Sequence, residues 1–107
     1  MNKILYNVTI QIEHAVHDEW LAWMKRVHIP AMLDTAYFEE YTISRLMGND
    51  ETMGFTYSIQ YLAPSFSAYQ EYQEKQAMAM QKSHNEKFKD RYVAFRSLMK
   101  VIERGEK

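Results

Sequence analysis

Two histidines, His28 and His84, are the side chains of this sequence best suited by type and position to acid–base chemistry. An imidazole with an ordinary pKa of about 6.5 can act as a general base or as a hydrogen-bond donor at neutral pH. His28 precedes Ile29 and Pro30 at the end of a helical pattern, where the helix dipole also favours a charged imidazole. We therefore expect His28 to be either a pocket residue or a residue that caps the helix.

His84 falls on the inner arc of a second predicted helix, which also carries the polar residues Gln73, Gln76 and Ser83. Buried polar groups need partners, which internal hydrogen bonds, ordered water or a ligand can supply. The alternative is a helix whose middle is exposed, so that these side chains contact solvent. The polar arc makes His84 a stronger candidate than His28. A pocket at this arc and an exposed helix face are equally compatible with the sequence.

Tyrosines are the third feature of the predicted site. Tyr57 and Tyr61 share an apolar strand face, and Tyr69 and Tyr72 face the sheet from the second helix. A phenol ring joins apolar surface to a polar tip, which suits a pocket for a flat organic molecule as well as a protein core. The predicted ligand-binding residues are Tyr57, Tyr61, Tyr69, Tyr72, Gln76, His28 and His84, and the catalytic candidates are His84 and His28.

Other chemistries find little support in the residue types. His14 and His17 have a spacing that could bind a metal, but they straddle a strand-to-helix junction without a distant third ligand, so no metal site is predicted. The glycines at positions 48, 54 and 105 do not have the spacing of a phosphate-binding loop. We also predict no bound cofactor.

Length and composition narrow the class of protein. The 107 residues suffice for one core, so we predict a single domain over residues 1–107. The absence of cysteine excludes disulfides and thiolate nucleophiles and suits a cytoplasmic location, which we predict. A net charge of -1 argues against nucleic-acid binding, and no apolar stretch is long enough to span a membrane. We expect the basic residues of the last segment, Arg96 among them, to form a solvated surface.

Periodicity gives the order of elements. Strands are predicted at residues 4–12, 38–46, 53–62 and 92–102, with helices at residues 17–28 and from Pro64 to about residue 89. The apolar arc of the first helix consists of Val16, Trp20, Leu21, Trp23, Met24 and Val27. Pro30 should stop or kink that helix, with one further turn at residues 31–36.

The order β-α-β-β-α-β predicts an α+β protein with a ferredoxin-like antiparallel sheet and both helices on one face. The other face is poor in charges and unsuited to free solvent. Self-association through that face, as a twofold homodimer, would cover it.

The chain resembles the dimeric α+β barrel proteins in this element order and in the helix-terminal residues 28–30. It is similar, more closely, to an uncharacterised bacterial family of short proteins, through residues 6–9, 17–20, 56–61 and 88–96. The resemblance covers nearly the whole chain and implies ferredoxin-like protomers whose sheets pair into a barrel, with a pocket between helices and sheet. That family carries no assigned activity.

Three functions follow as hypotheses. The first is the binding of a small aromatic or carbonyl metabolite in the helix–sheet pocket. The second is an enzyme similar to the cofactor-independent monooxygenases or haem-degrading proteins of the same superfamily, which the chain resembles in Asn7 and His84. It lacks the tryptophan that haem-degrading relatives carry on the second helix, and Asn7 should point away from His84. The third is a structural or interaction dimer without a ligand.

Overall fold

Alternating apolar side chains place the first strand at the centre of an antiparallel sheet. A computed structural model of the protein describes residues 2–107, and its strands lie side by side in the order β2-β3-β1-β4. The strands are β1 (Ile4–Ile12), β2 (Glu40–Arg45), β3 (Phe55–Ala63) and β4 (Tyr92–Lys100). In β1, Tyr6, Val8, Ile10 and Ile12 are buried on the face that the helices cover, as the period of two predicted.

The helices pack on that one face of the sheet. They are α1 (His17–Trp23), a wide π-helical turn (Met24–His28), α2 (Ile29–Asp34), α3 (Phe66–Lys75) and α4 (Ala77–Phe88). The Ser65 side chain caps α3 by accepting a hydrogen bond from the Ala68 amide at 3.1 Å. The ferredoxin-like α+β fold predicted from the sequence is therefore confirmed.

The second predicted helix is broken, which the sequence did not indicate. Gln76, with φ -124° and ψ -30°, leaves the helical region and separates α3 from α4. No glycine or proline marks this position. Gln73 and Ser83 are exposed, so half of the polar arc predicted to face inward contacts solvent, whereas His84 is buried.

Pro30 does not stop the first helix, which was one of the two predicted outcomes, because a wide turn accommodates the proline. The Ile29 amide bonds to the Met24 carbonyl five residues back, and Ile29 keeps helical angles of φ -63° and ψ -45°. A regular α-helix would direct the missing amide of Pro30 at the Arg26 carbonyl and press the ring against it. Val27, predicted to be inside, lies within this turn and is 51% exposed.

In β4, the more apolar face points away from the helices, although its composition suggests that this face would be the buried one. Arg96 pairs with Val8 and Ala94 with Ile10, so these two β4 residues point towards the helices. The more apolar residues Val93 and Phe95 lie on the uncovered face, 65% and 63% exposed. Arg96 is exposed, as predicted, but it lies on the face that the helices cover.

The uncovered face combines apolar and hydrogen-bonded polar side chains. Asn7 is buried at its centre, where its amide donates to the Thr9 hydroxyl at 3.0 Å and its carbonyl oxygen accepts from Ser58. Because neighbouring residues of a strand point to opposite faces, Asn7 is directed away from Tyr6 and the helices, as predicted.

Helices of this protein are short and mostly polar on one side. Within residues 2–107, none has both the length and the hydropathy that a bilayer crossing requires.

Candidate functional site

A small cavity lies between the helices and the sheet and has a volume of about 30 Å³. Its sheet side is formed by Tyr6, Val8, Ile10, Ile59, Tyr61 and Arg96, and its helix side by Met24, His28, Met32, Tyr72, Met80, Gln81 and His84. A water molecule needs roughly 10–15 Å³ by this measure, so the cavity accommodates about two. Both histidines singled out from the sequence line the same cavity.

His84 is held by a hydrogen bond to a buried tryptophan. The Trp20 indole, which is fully buried, directs its Nε1–H at Nε2 of His84 across 2.9 Å. Indole can only donate, so Nε2 of His84 must be the acceptor and the ring proton must lie on Nδ1. Nδ1 has no hydrogen-bond partner among residues 2–107. His84 therefore retains an N–H donor that no group of residues 2–107 uses, while its basic nitrogen is occupied.

His28 stands next to His84 without a hydrogen bond of its own. The two ring centroids are 5.9 Å apart and the rings meet edge to face. The other neighbour of His28 is Trp23, whose ring stacks on the imidazole at 5.2 Å with an interplanar angle of 29°. Within residues 2–107 neither ring nitrogen of His28 has a protein partner, so it can accept a proton or a hydrogen bond from a ligand.

Both imidazoles are neutral at physiological pH. Burial lowers the pKa of His28 to about 4. Burial likewise lowers the pKa of His84 to about 4, and the nearby charges of His28 and Arg96 act in the same direction. The pair therefore provides one free basic nitrogen and one N–H donor rather than a positive charge.

Three buried phenols complete the sheet and helix walls. Burial raises the pKa of Tyr6, Tyr61 and Tyr72, so all three remain protonated. The Tyr72 hydroxyl directs its proton at the Met32 sulfur across 3.2 Å, a weak acceptor. These groups could reorient towards a more strongly accepting ligand.

Arg96 supplies the formal charge of the site. Its Nε donates to the Tyr6 hydroxyl at 3.1 Å, while part of the side chain remains in solvent at the edge of the sheet. No aspartate or glutamate lines the cavity.

The predicted ligand-binding residues divide into two groups. Tyr61, Tyr72, His28 and His84 line the cavity, whereas Tyr57, Tyr69 and Gln76 do not. Tyr57 instead bonds to Nε2 of His17 at 2.7 Å and packs against Trp20. Tyr69 packs on Tyr6 from α3, and Gln76 occupies the helix break.

Sequence reasoning missed Arg96, Gln81 and Trp20 as parts of the site. Helical spacing could have found Gln81, which lies one turn before His84 and one turn after Ala77 on the buried side of α4. The donor role of Trp20 depends on a contact between residues 64 positions apart, which periodicity does not reveal.

The remaining histidines make local contacts. Nε2 of His14 lies 2.8 Å from the Glu51 carbonyl oxygen, and Nδ1 of His17 lies 2.9 Å from Asp18, which is exposed. Both rings also pack edge-on against Phe55. Across residues 2–107 no group of three or more potential ligands has a geometry that could hold a metal ion.

Comparisons with known proteins agree with the fold and leave the chemistry open. The sequence profile described as Domain of unknown function (DUF4286) matches residues 3–102. No functionally curated protein matches the sequence.

Solved structures of similar fold come from several sources. A dimeric ferredoxin-like protein from an uncultured marine organism superposes with a TM-score of 0.73 at 17% identity, over 98% of this chain and 99% of that one. SnoaB, a cofactor-independent oxygenase from Streptomyces nogalater, superposes with a TM-score of 0.69 at 8% identity, over 97% of each chain. At these identities the likeness concerns the fold alone.

Proposed function

Because this chain belongs to the DUF4286 family, a domain of unknown function, we propose a function from its own site: a homodimeric barrel protein that binds a small aromatic or carbonyl metabolite in the helix–sheet cavity. The observation that carries the proposal is the pair His28 and His84, which meet at the cavity as neutral rings with unsatisfied polar atoms. Such polar groups in an apolar cavity are typical of a ligand site.

The two histidines offer complementary hydrogen-bonding groups to such a ligand. His84 presents Nδ1–H, since Trp20 occupies its other nitrogen. A carbonyl oxygen accepts from that donor, and a hydroxyl on the same ligand can donate to the unpaired nitrogen of His28. Tyr61 supplies aromatic surface on the opposite, sheet wall, and Tyr72 supplies it beside the histidines on the helix wall.

An aromatic ring requires local movement, because the cavity of about 30 Å³ is smaller than the roughly 150 Å³ that holds a benzene molecule. Met24, Met32 and Met80 line the cavity, and unbranched methionine side chains can change rotamer to enlarge it. The interruption of the helix at Gln76 lets α4 shift relative to α3 without bending a continuous helix. These features support a site that opens around its ligand.

A thermal-shift and calorimetric screen with phenols, quinones and small carbonyl compounds tests the proposal. A ligand that stabilises the wild-type protein should lose most of its effect in His28→Phe, which preserves a ring and removes the nitrogens. His14→Gln, on an exposed ring outside the cavity, is the matched control and should behave as wild type. Equal binding by wild type and His28→Phe would contradict the assignment of this cavity.

The proposed homodimer is supported by the uncovered face of the sheet. In this proposal a second copy of the chain packs against that face. Val93, Phe95 and Met99 expose apolar surface there, around the buried polar centre at Asn7. The marine protein of similar fold is described as dimeric. Sedimentation analysis should give a dimer at micromolar concentration, converted to a monomer by Phe95→Glu. Val27→Glu, on an exposed helix position, should remain dimeric; a wild-type monomer would refute the pairing.

A cofactor-independent oxygenase is the second candidate, favoured by the free nitrogen of His28. A neutral imidazole without a partner can accept a proton from a strongly activated substrate; burial, which lowers the pKa of His28 to about 4, makes it a weak base. The structural likeness to SnoaB, described as a cofactor-independent oxygenase, is compatible with this chemistry. Oxygen consumption on addition of a bound phenol, abolished in His28→Phe, would support it. Binding without oxygen consumption would leave the first proposal alone.

Haem has less support than a small ligand at this site. Nε2 of His84 is occupied by the Trp20 indole, and the cavity of about 30 Å³ is far smaller than a porphyrin.

A further inference from the structure

Arg96 carries a positive charge into a cavity that has no negative one. The guanidinium lies against Tyr6, and its charge also acts on Tyr72 and His84, which belong to two different helices. Burial raises the pKa of Tyr6 and Tyr72, and the Arg96 charge acts against this rise. Burial lowers the pKa of His84, and the Arg96 charge lowers it further. Arg96 is therefore close to groups on several walls of the cavity.

This arginine differs from three others in the chain. Arg45, Arg91 and Arg104 each form an ion pair with a glutamate. Among the carboxylates of residues 2–107, none lies within ion-pair distance of Arg96. Only Nε of Arg96 is used, by the Tyr6 hydroxyl, so both terminal NH₂ groups are available to a ligand.

Two further groups of the cavity lining can donate, beside the acceptors that His28 and the Gln81 amide provide. The Tyr6 oxygen accepts from Arg96, and its own proton can be donated to a ligand. His84 adds Nδ1–H, because its other nitrogen is occupied. Three donors thus line one cavity: Tyr6 on β1, Arg96 on β4 and His84 on α4. Because one of them is a cation, the complementary ligand is an acceptor that carries negative charge.

We infer that the ligand of this cavity is a small organic carboxylate and that Arg96 recognises its charged group. The inference rests on the binding site proposed above and names the chemical class of its ligand. A carboxylate presents two oxygens in a plane, which matches the fork of a guanidinium. It also occupies about the space of two water molecules, which the cavity provides without rearrangement. The rest of the ligand then determines how far the methionine walls must open.

The test compares acids with their uncharged amides of the same shape. Benzoate and benzamide, and 4-hydroxybenzoate and 4-hydroxybenzamide, are titrated by calorimetry into wild type, Arg96→Gln, Arg96→Lys and Lys100→Gln. Lys100 lies on the same face of β4, outside the cavity lining, and serves as the charge-matched control. Wild type and Lys100→Gln should bind the acids about tenfold or more tightly than the amides. Arg96→Gln should abolish the preference, and Arg96→Lys should restore part of it.

The two proposals fail in different ways. Amides that bind as tightly as acids, or a preference that persists in Arg96→Gln, would overturn the carboxylate class and leave the cavity as a binding site. The absence of binding by acids and amides alike would overturn both proposals. Circular dichroism of each variant checks that loss of preference does not arise from unfolding.

Discussion

His28 and His84 meet edge to face at the cavity, with ring centroids 5.9 Å apart, and only His84 has a protein partner for a ring nitrogen. Two chemically identical side chains therefore have distinct properties: one donates from Nδ1, and the other retains an accessible basic nitrogen. Trp20 creates this difference, because its indole occupies Nε2 of His84 and leaves His28 untouched. The tests below examine that arrangement and the backbone that supports it.

Trp20→Phe should remove the donor while keeping an aromatic ring in the core. We expect the free energy of unfolding to fall by roughly 2–4 kcal/mol, from lost volume and from the unpaired Nε2 of His84. Nitrogen-15 shifts of His84 should change from the Nδ1–H tautomer to a mixture. Trp23→Phe is the control, since the Trp23 indole makes no hydrogen bond within residues 2–107. Unchanged His84 shifts in Trp20→Phe would contradict the tautomer assignment.

The unfolding free energy should rise with pH between about 4 and 6.5 and level off above that range. Burial holds the pKa of both His28 and His84 at about 4 in the folded protein, against 6.5 when unfolded, so the unfolded chain binds more protons in this window. The contribution is at most roughly 3 kcal/mol for each ring. Urea denaturation across this range measures it.

A variant separates the two contributions to this pH dependence. His28→Phe should reduce the slope by about half, since one of the two shifted groups is removed. Imidazole resonances provide an independent measurement, with midpoints expected near 4 for both rings in the wild type. Midpoints close to 6.5 would show that the rings are not shielded from water.

Pro30→Ala should allow the wide turn to relax towards a regular helix. The new amide can bond to the Arg26 carbonyl, so His28 should rotate away from the cavity and its pKa should rise from about 4. Because Ile29 and Met32 would shift as well, the free energy of unfolding should fall by about 1–3 kcal/mol. The loss of the nuclear Overhauser contact between His28 and His84 is the direct readout. Pro64→Ala, outside this helix, should preserve it.

Gly54→Ala should be strongly destabilising. A Cβ at this position would lie 2.2 Å from the backbone oxygen of Ile12, and both groups belong to the paired backbone at the end of β1 and β3. We expect a loss of several kcal/mol or failure to fold. Gly105→Ala, which meets nothing within 4 Å, should unfold at the wild-type urea concentration. Wild-type stability of Gly54→Ala would mean that the strand ends separate more easily than the structure indicates.

The fold was largely predictable because each strand repeats a simple alternation. In β1 the apolar residues at even positions are buried by the helices, and β3 continues the same pattern. In β4 the alternation was correct, but its inner face was not predictable. Arg96 faces the helices while Val93 and Phe95 face outward, so composition pointed to the wrong side.

The candidate site was predictable only in part, because its contacts join residues far apart in the sequence. His28 and His84 were identified singly, from helix position and from a polar arc. Their meeting depends on the wide turn, where Pro30 indicated an irregularity but not its form, and on the break at Gln76, which neither glycine nor proline marks. The roles of Trp20 and Arg96 follow from hydrogen bonds that cross between elements.

In its geometry, the π-helical turn is equivalent to the insertion of one residue into a regular α-helix. A single extra residue advances every later side chain by about 100° around the axis. The insertion therefore lets the helix bury Trp20 and Met24 before the turn and Ile29 and Met32 after it against the same sheet. A homologue that lacked this residue could retain the fold and still lose the pair of histidines. The length of this segment, rather than the presence of a histidine in it, would then distinguish proteins with the site from those without it.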